Sequence, residues 1–370
     1  MKLNLKRFAP ALAIFCCAGV SVLLVLYSPL AQEGARQGLA LCGQVIIPAM
    51  YPFFVLAGIF THINANAGKG RAVLGAVLLG FLGGYPLGAK TAAQLMEQGS
   101  VTRAQAQRLQ LFCVNAGPAY LIGAVGSGLL GSKRAGMILF ISMAAAGLIL
   151  GAFVKFVPEQ AVGAAEDRRA AEDARAAEDK RAAGYTRAAR LPPLQTGEGG
   201  QKPFDHILLS AVTQATGSVL GVCAWVVLFS CACALLRLLP HGLWPAIPAL
   251  NVALEVSSGA AAVVRAGMPL PVLCAALGWG GLAVHCQVLG DVRKTGLPLR
   301  LFWASRLLHG ALAAAICALL LHWFPMETSA AAVWGMRAVR LWAVSAPAAA
   351  AVLFFCGFLI LDLDLNRKVC

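Results

Sequence analysis

Long apolar runs, each about the length that crosses a bilayer, recur along almost the whole chain. A transmembrane helix needs about 20 mainly apolar residues, because the hydrocarbon core is about 30 Å thick. Such runs cover residues 8–30, 39–60, 109–130, 135–157, 207–239, 270–289, 298–324 and 341–361. With 59% hydrophobic and 12% charged residues, the composition excludes a soluble domain of this size. We predict an all-α polytopic membrane protein with about eight spanning helices in the lipid bilayer.

The basic residues set the expected orientation of these helices. The formal net charge is +14, but the Lys and Arg residues are scattered between the apolar runs, where they favour the cytoplasmic side of a membrane. Nucleic-acid binding would instead gather them on one face, so no nucleic-acid partner is predicted. Lys6 and Arg7 precede the first run, and Arg367 and Lys368 follow the last. Both termini are therefore predicted to be cytoplasmic.

The segment Gly80–Lys90 interrupts an apolar run that begins at Ala72, with four glycines, a proline and a lysine in eleven residues. In hydrocarbon, broken backbone is tolerated only where it is buried in protein or lines a polar cavity. If this segment crossed the membrane fully, the basic residues that follow it would lie outside, against the usual bias. We therefore predict a re-entrant hairpin that turns at Gly83-Gly-Tyr-Pro86, with Gly84 and Tyr85 as candidate solute-binding residues.

A second broken segment, Asn251–Ala261, carries Glu255, Ser257 and Ser258. Carrying the topology forward places its entrance on the opposite side of the membrane. Two re-entrant segments that approach from opposite faces are typical of inverted-topology repeats with a solute site near the midplane. The fold prediction is thus about eight spanning helices plus two re-entrant hairpins in an inverted-repeat arrangement.

A charged loop separates the two halves, because Ala-Ala-Glu-Asp recurs three times between Ala164 and Asp179 with almost no large apolar residues. The predicted organisation has five parts. These are an N-terminal membrane helix (1–38), a first repeat (39–157), a charged cytoplasmic loop (158–203), a second repeat (204–324) and a C-terminal membrane helix with its tail (325–370).

Lys90 and Glu255 are the principal candidates for a polar site. A lysine at bilayer depth costs about 2.5–3.5 kcal/mol on insertion scales, so it is usually paired or faces a cavity. Alternatively, Lys90 lies near the interface and extends to the headgroups. If both hairpin tips reach the midplane, Glu255 is its natural counter-charge, and the two either pair or share a polar substrate. Asn115, Ser257 and Ser258 either bind a ligand or cap half-helices.

His285 and Gln287 lie in a run that glycine loosens. A histidine there either couples protons to transport or forms a hydrogen bond inside the bundle. Arg306 and His309, three residues apart on one helix, are interpreted as marking the cytoplasmic end of a span. The twelve cysteines form no C-x-x-C pair, and no catalytic constellation is recognisable. Neither an enzyme, a metal site nor a cofactor is predicted.

Several motifs in one order resemble the YlbJ-like sporulation integral membrane proteins. They are Ile47-Pro-Ala-Met-Tyr-Pro-Phe-Phe54, Gly83-Gly-Tyr-Pro-Leu-Gly-Ala-Lys90, Asn115-Ala-Gly-Pro118, Glu255 with Gly259, Gly280-Gly-Leu-Ala-Val-His-Cys-Gln287 and Ala304-Ser-Arg-Leu-Leu-His309. The resemblance extends from about residue 39 to 324. It implies the nucleoside-recognition or Gate domain, which is similar to parts of concentrative nucleoside transporters.

This resemblance implies a role in endospore formation at the cytoplasmic (inner) membrane of a bacterium. Two functions remain open. One is a Gate-type transporter or channel for a small polar, nucleoside-like solute, and the other is a non-transporting scaffold or assembly factor. A protein partner would be a second copy of the chain or other sporulation membrane proteins.

Overall fold

Within the residues that the structure describes, the regular elements are helices. The structure, a computed structural model, describes residues 18–19, 21–63, 69–154 and 204–326. The charged loop 158–203 and the predicted last span, 341–361, lie outside the described residues, as do residues 8–17 and 20 of the predicted first span, 8–30. In chain order the helices are α1 Ser28–Leu41, α2 Ile47–Ile63, α3 Lys69–Gly83, α4 Tyr85–Glu97, α5 Arg103–Phe112, α6 Ala119–Leu129, α7 Lys133–Val154, α8 Phe204–Leu235, α9 Ile247–Leu254, α10 Val256–Arg265, α11 Leu270–Trp279, α12 Gly281–Thr295 and α13 Leu299–Trp323.

Five stretches within the described residues are long and apolar enough to cross a membrane: Ser28–Ile63, Lys133–Val154, Phe204–Leu238, Leu270–Thr295 and Leu299–Trp323. The sequence-based number of about eight included 8–30, of which residues 8–17 and 20 lie outside the described residues, and 341–361, which lies wholly outside them. It also included 109–130, which the structure divides between two short helices. For the described residues, the structure confirms an all-helical, multi-pass architecture but not the predicted number of spans.

The proline-rich run at residues 47–54 does not break its helix. A π-helical turn, Cys42–Ile46, joins α1 to α2, and the Ile47 N–H bonds to the Cys42 carbonyl. The wider turn precedes Pro48 and Pro52, residues that remove backbone donors from a helix. The prolines of this run therefore lie within one continuous helical stretch of 36 residues, Ser28–Ile63.

The chain reverses direction between α3 and α4. Gly84 is the single residue between them, with φ 98°, a conformation that is easy only for glycine. A Cβ on Gly80 would lie 3.2 Å from the Gly88 Cα, an approach that eight residues of continuous helix could not make. Ala72 and Ala76 share a buried cluster with Ala92 and Leu95. The two helices therefore form a hairpin that turns at Gly84.

We predict that Gly88→Ala destabilises this hairpin by about 1–3 kcal/mol, the usual cost of overpacking. A Cβ at this position would lie 2.1 Å from the Cys113 carbonyl oxygen and 2.8 Å from its carbon, which are backbone atoms that cannot rotate away. Unfolding of the purified protein in mixed micelles measures the effect. Gly217→Ala is the matched control, since Gly217 has no atom within 4 Å of the added Cβ; equal stability of the two variants would contradict the prediction.

The second half contains an equivalent reversal between α9 and α10. Glu255 is the single residue between them, in an extended conformation (φ −144°, ψ 128°). A Cβ on Gly259 would lie 2.6 Å from the Val252 Cα, so these helices also fold against each other. The sequence-predicted break within Asn251–Ala261 is thus a hairpin whose turn is Glu255.

Two further breaks follow the hairpins. Residues 113–117 are non-helical between α5 and α6, and Gly280, in the left-handed region, separates α11 from α12. Long helices enclose these broken ones: α2 packs against α8, and α7 packs against α13. The four breaks therefore lie inside the bundle, where neighbouring groups replace the backbone partners that each break removes.

Candidate functional site

The four helix breaks meet at one place. A Cβ on Gly117 would lie 3.1 Å from the Gly84 nitrogen, and one on Gly281 would lie 3.1 Å from the Glu255 Cα. Each hairpin turn therefore touches the broken helix of its own half. Tyr120 joins the halves, because its hydroxyl lies 3.1 Å from the Ser257 hydroxyl.

A cavity of about 50 Å³ lies at this meeting point. It has room for roughly three to five water molecules, because each needs about 10–15 Å³. The N-terminal turns of four helices line it, with Tyr85 from α4, Tyr120 from α6, Ser257 from α10 and Val284 from α12. The free backbone N–H groups of a helix N-terminus carry partial positive charge. The lining is mainly apolar, and its polar side chains, which include Tyr120, Glu255 and Ser257, lie at these helix N-termini.

Glu255 is the charged group of this cavity. Its side chain is fully buried, lines the cavity and caps α10. One carboxylate oxygen accepts from the Ser257 N–H at 3.0 Å, and the other accepts from the Ser258 N–H at 2.6 Å. The positive end of the helix stabilises a negative charge placed there. The cap of α10 is therefore Glu255, and the two serines, predicted to bind a ligand or cap a half-helix, supply the backbone N–H groups from which it accepts. The Ser257 hydroxyl lies 3.1 Å from the Tyr120 hydroxyl.

Arg306 is a second buried charge, on α13, and it holds the broken end of α5. Its guanidinium donates to the Leu111 carbonyl at 2.6 Å and also to the Val114 carbonyl. These carbonyls are at the C-terminal end of α5, where cations are favourable. Arg306 and His309, interpreted from the sequence as marking the end of a span, are both buried inside the bundle, at 1% exposed or less. The sequence signal for this burial was an Arg and a His that lie three residues apart within an apolar run.

Tyr85 and Asn115 stabilise the breaks in different ways. Tyr85 lines the cavity, and its hydroxyl donates to the Leu277 carbonyl at 2.6 Å, which ties the first hairpin to the end of α11. Asn115 is buried and donates to the Phe112 carbonyl at 2.9 Å, but it does not line the cavity. Gly84, the turn residue next to Tyr85, also lines the cavity.

Lys90 and Glu255 do not pair with each other in this structure. Lys90 donates instead to the Ser218 hydroxyl, and its ammonium nitrogen lies 5.5 Å from the centre of the Phe54 ring. Both carboxylate oxygens of Glu255 bond backbone amides. The side chain of Lys90 is partly exposed, on the face of α4 that is directed toward α8.

His285 and Gln287 occupy different environments on α12. Gln287 lines the cavity. His285 is 4% exposed and packs among aromatic rings, with its ring centre 4.3 Å from Trp279, 5.0 Å from Trp303 and 5.5 Å from Phe302. Within the described part of the chain, neither ring nitrogen makes a hydrogen bond. Thus Gly84, Tyr85, Glu255, Ser257 and Gln287 lie together at the cavity, while Lys90, Asn115, Ser258 and His285 lie around it.

Comparison with curated proteins finds a relative in Bacillus subtilis (strain 168), the sporulation integral membrane protein YlbJ. The two are 26% identical over 339 residues, covering 80% of this chain and 78% of the relative. No family model matches the chain. No solved structure matches it either. This similarity supports the resemblance to the YlbJ-like proteins, and together with the five apolar helices it makes the chain a multi-pass membrane protein that is similar to a sporulation integral membrane protein.

Proposed function

We propose that this protein carries a small polar solute across the bacterial cytoplasmic membrane during endospore formation. One observation carries the transport part: a fully buried carboxylate, Glu255, lies at a cavity where the N-terminal turns of four half-helices meet. Ionisable groups inside a membrane protein usually mark a solute or ion path. The sporulation part rests on similarity to a sporulation integral membrane protein. No catalytic residue is included in the proposal.

An inverted-repeat, Gate-type arrangement is part of this proposal. The order of helices supports it, because α2 to α7 and α8 to α13 each consist of a helix, a hairpin, a broken helix and a long helix. These are the regions 39–157 and 204–324 that the sequence assigns to two repeats. In this arrangement both hairpins are re-entrant, enter from opposite faces, and bring Gly84 and Glu255 to the midplane. Both termini are cytoplasmic.

The size of the cavity limits what it holds in this conformation. A volume of about 50 Å³ admits a few waters or one polar group, whereas a nucleoside-like solute needs a pocket of a few hundred Å³. Admitting such a solute requires a hairpin to move away from its neighbour. The contacts that would have to open are those of Gly84 with Gly117 and of Glu255 with Gly281. The structure therefore corresponds to a closed state in the proposed cycle.

We predict that Ala119→Leu abolishes uptake of the solute. Ala119 lines the cavity, as Ala224 does not, while part of its surface is exposed, and we expect three added carbon atoms to take up space at the cavity that the solute would use. A panel of radiolabelled nucleosides and other small polar solutes, tested with purified protein in liposomes, measures uptake. Ala224→Leu adds the same atoms to an exposed position on α8, so we expect uptake by this control to stay within twofold. Equal uptake by both variants would exclude this cavity as the solute site.

The second candidate is a non-transporting membrane component of spore assembly. It is favoured by one observation: Glu255 and Arg306 are both satisfied by backbone groups, so the site is complete without a ligand. A scaffold predicts no uptake and no thermal stabilisation by any solute in the panel. It also predicts that Ala119→Leu supports sporulation as well as the unchanged protein does.

A further inference from the structure

Three helices place a layer of side chains directly beside the cavity. Met50, Pro86 and Val222 line the cavity on α2, α4 and α8. One helical turn further along each helix are Phe54, Lys90 and Ser218, since residues four apart lie on the same helix face. Lys90 bonds Ser218 and lies against the Phe54 ring. This layer lies one helical turn from the cavity-lining residues of α2, α4 and α8.

The next turns of the same three helices continue with polar side chains. Gln94 on α4 donates to Gln214 on α8 at 3.3 Å, and Gln214 donates to Ser210 at 3.2 Å. Ser210 is in turn 3.4 Å from the His62 ring of α2. Because each step advances by one helical turn, these groups form a polar track from the layer at Lys90 to the end of the bundle.

This track lies at a depth where lipid would be unfavourable for it. Gln214 and Ser218 are in the first half of the apolar span Phe204–Leu238, and Gln214 is exposed while Ser218 and Lys90 are partly exposed. Polar and ionisable side chains within a span face the bundle interior or a water-filled cavity, because hydrocarbon cannot solvate them. Leu209 and Leu220 of the same helix, 67% and 60% exposed, lie on a different side of it, roughly 120–140° around its axis from Gln214. The polar face of α8 is therefore suited to water.

We infer that a water-filled path reaches the cavity between α2, α4 and α8, and that Lys90 closes its inner end by bonding Ser218. The path gives the solute site its access to one side of the membrane, and in that respect it rests on the proposed function. Lys90 thus has a role different from a counter-charge for Glu255. Its release from Ser218 connects the cavity with the polar track.

Reaction of introduced cysteines with a charged, water-soluble methanethiosulfonate reagent tests this path. Single cysteines are placed at Gln214 on the track, at Val222 in the cavity and at Leu220 on the apolar face, each in the full chain in liposomes with reagent on both sides. The unchanged protein corrects for native thiols, and intact-protein mass gives the rates. We expect Gln214→Cys to react at least tenfold faster than Leu220→Cys. A rate equal to that of Leu220→Cys would overturn the path.

The closure by Lys90 has its own measurement. Val222→Cys is expected to react slowly when Lys90 is present and at least tenfold faster with Lys90→Met. Ser218→Ala removes the same contact from α8 and is expected to give the same acceleration, which covers a Lys90 variant that fails to fold. An unchanged Val222→Cys rate in a folded variant of either kind would overturn the closure. Labelling needs no solute, so expected rates without any uptake would reject the proposed function alone, and uptake with unexpected rates would reject this path or its closure alone.

Discussion

Replacement of Arg306 by methionine is expected to destabilise the protein by about 2–6 kcal/mol. The substitution keeps an apolar stem but removes the donors that bond the Leu111 and Val114 carbonyls. A buried polar group that loses its partner costs about 1–3 kcal/mol, and two are affected. The side chain is 1% exposed, so water does not readily replace the guanidinium. Unfolding of the purified protein in mixed micelles measures the loss.

Two control variants separate the hydrogen bonds from the charge. Arg306→Lys keeps the positive charge but has a single ammonium in place of the planar fork, so we expect a smaller loss than for methionine. Arg300→Met changes an exposed arginine near the start of the same helix, and its effect is expected to stay within about 0.5 kcal/mol. If Arg306→Met were no less stable than Arg300→Met, Arg306 would not hold α5.

The positions of the helix breaks could be predicted from the sequence, because glycine and proline interrupt a helix at the place where they occur. The turn of the first hairpin, Gly84, lies within the predicted Gly83-Gly-Tyr-Pro86, and the segment around Glu255 forms the second. The break at Asn115-Ala-Gly-Pro118 separates α5 from α6. In each case the residue types that interrupt a helix are consecutive or nearly so, and no distant contact is needed to recognise them.

The partners of the charged residues were not accessible in this way. The expected pair of Lys90 with Glu255 required knowledge of how each helix is rotated about its axis. Lys90 is directed toward Ser218, which lies 128 positions away in the chain, and Glu255 turns onto its own helix. The same limitation applies to Arg306, whose burial depends on where α5 ends relative to α13.

The two buried charges have a common physical basis in helix ends. Glu255 lies at the N-terminus of α10, and Arg306 lies at the C-terminus of α5. Each is matched in sign to the partial charge of the helix end that it contacts. A broken helix thus supplies backbone groups that stabilise an ion, and the ion satisfies backbone groups that the break has freed. The charges can remain buried without forming an ion pair with each other.

Two variants of Glu255 separate an effect on folding from an effect on transport. Glu255→Ala leaves the Ser257 and Ser258 N–H groups without acceptors, and we expect a loss of about 2–6 kcal/mol, from about 1–3 kcal/mol for each buried donor. Glu255→Gln keeps the shape and one acceptor oxygen while removing the charge, so it should unfold closer to the unchanged protein.

We further expect Glu255→Gln to reduce solute uptake in liposomes at least tenfold, because the cavity loses its only carboxylate among the described lining residues. Glu97→Gln is the matched control: Glu97 is exposed and lies 3.2 Å from Lys294 at the surface, where an ion pair contributes about 0–1 kcal/mol. Its uptake should stay within twofold. A Glu255→Gln protein that transports as well as Glu97→Gln would show that the buried charge serves only to cap α10, and the transport proposal would then lose the observation that carries it.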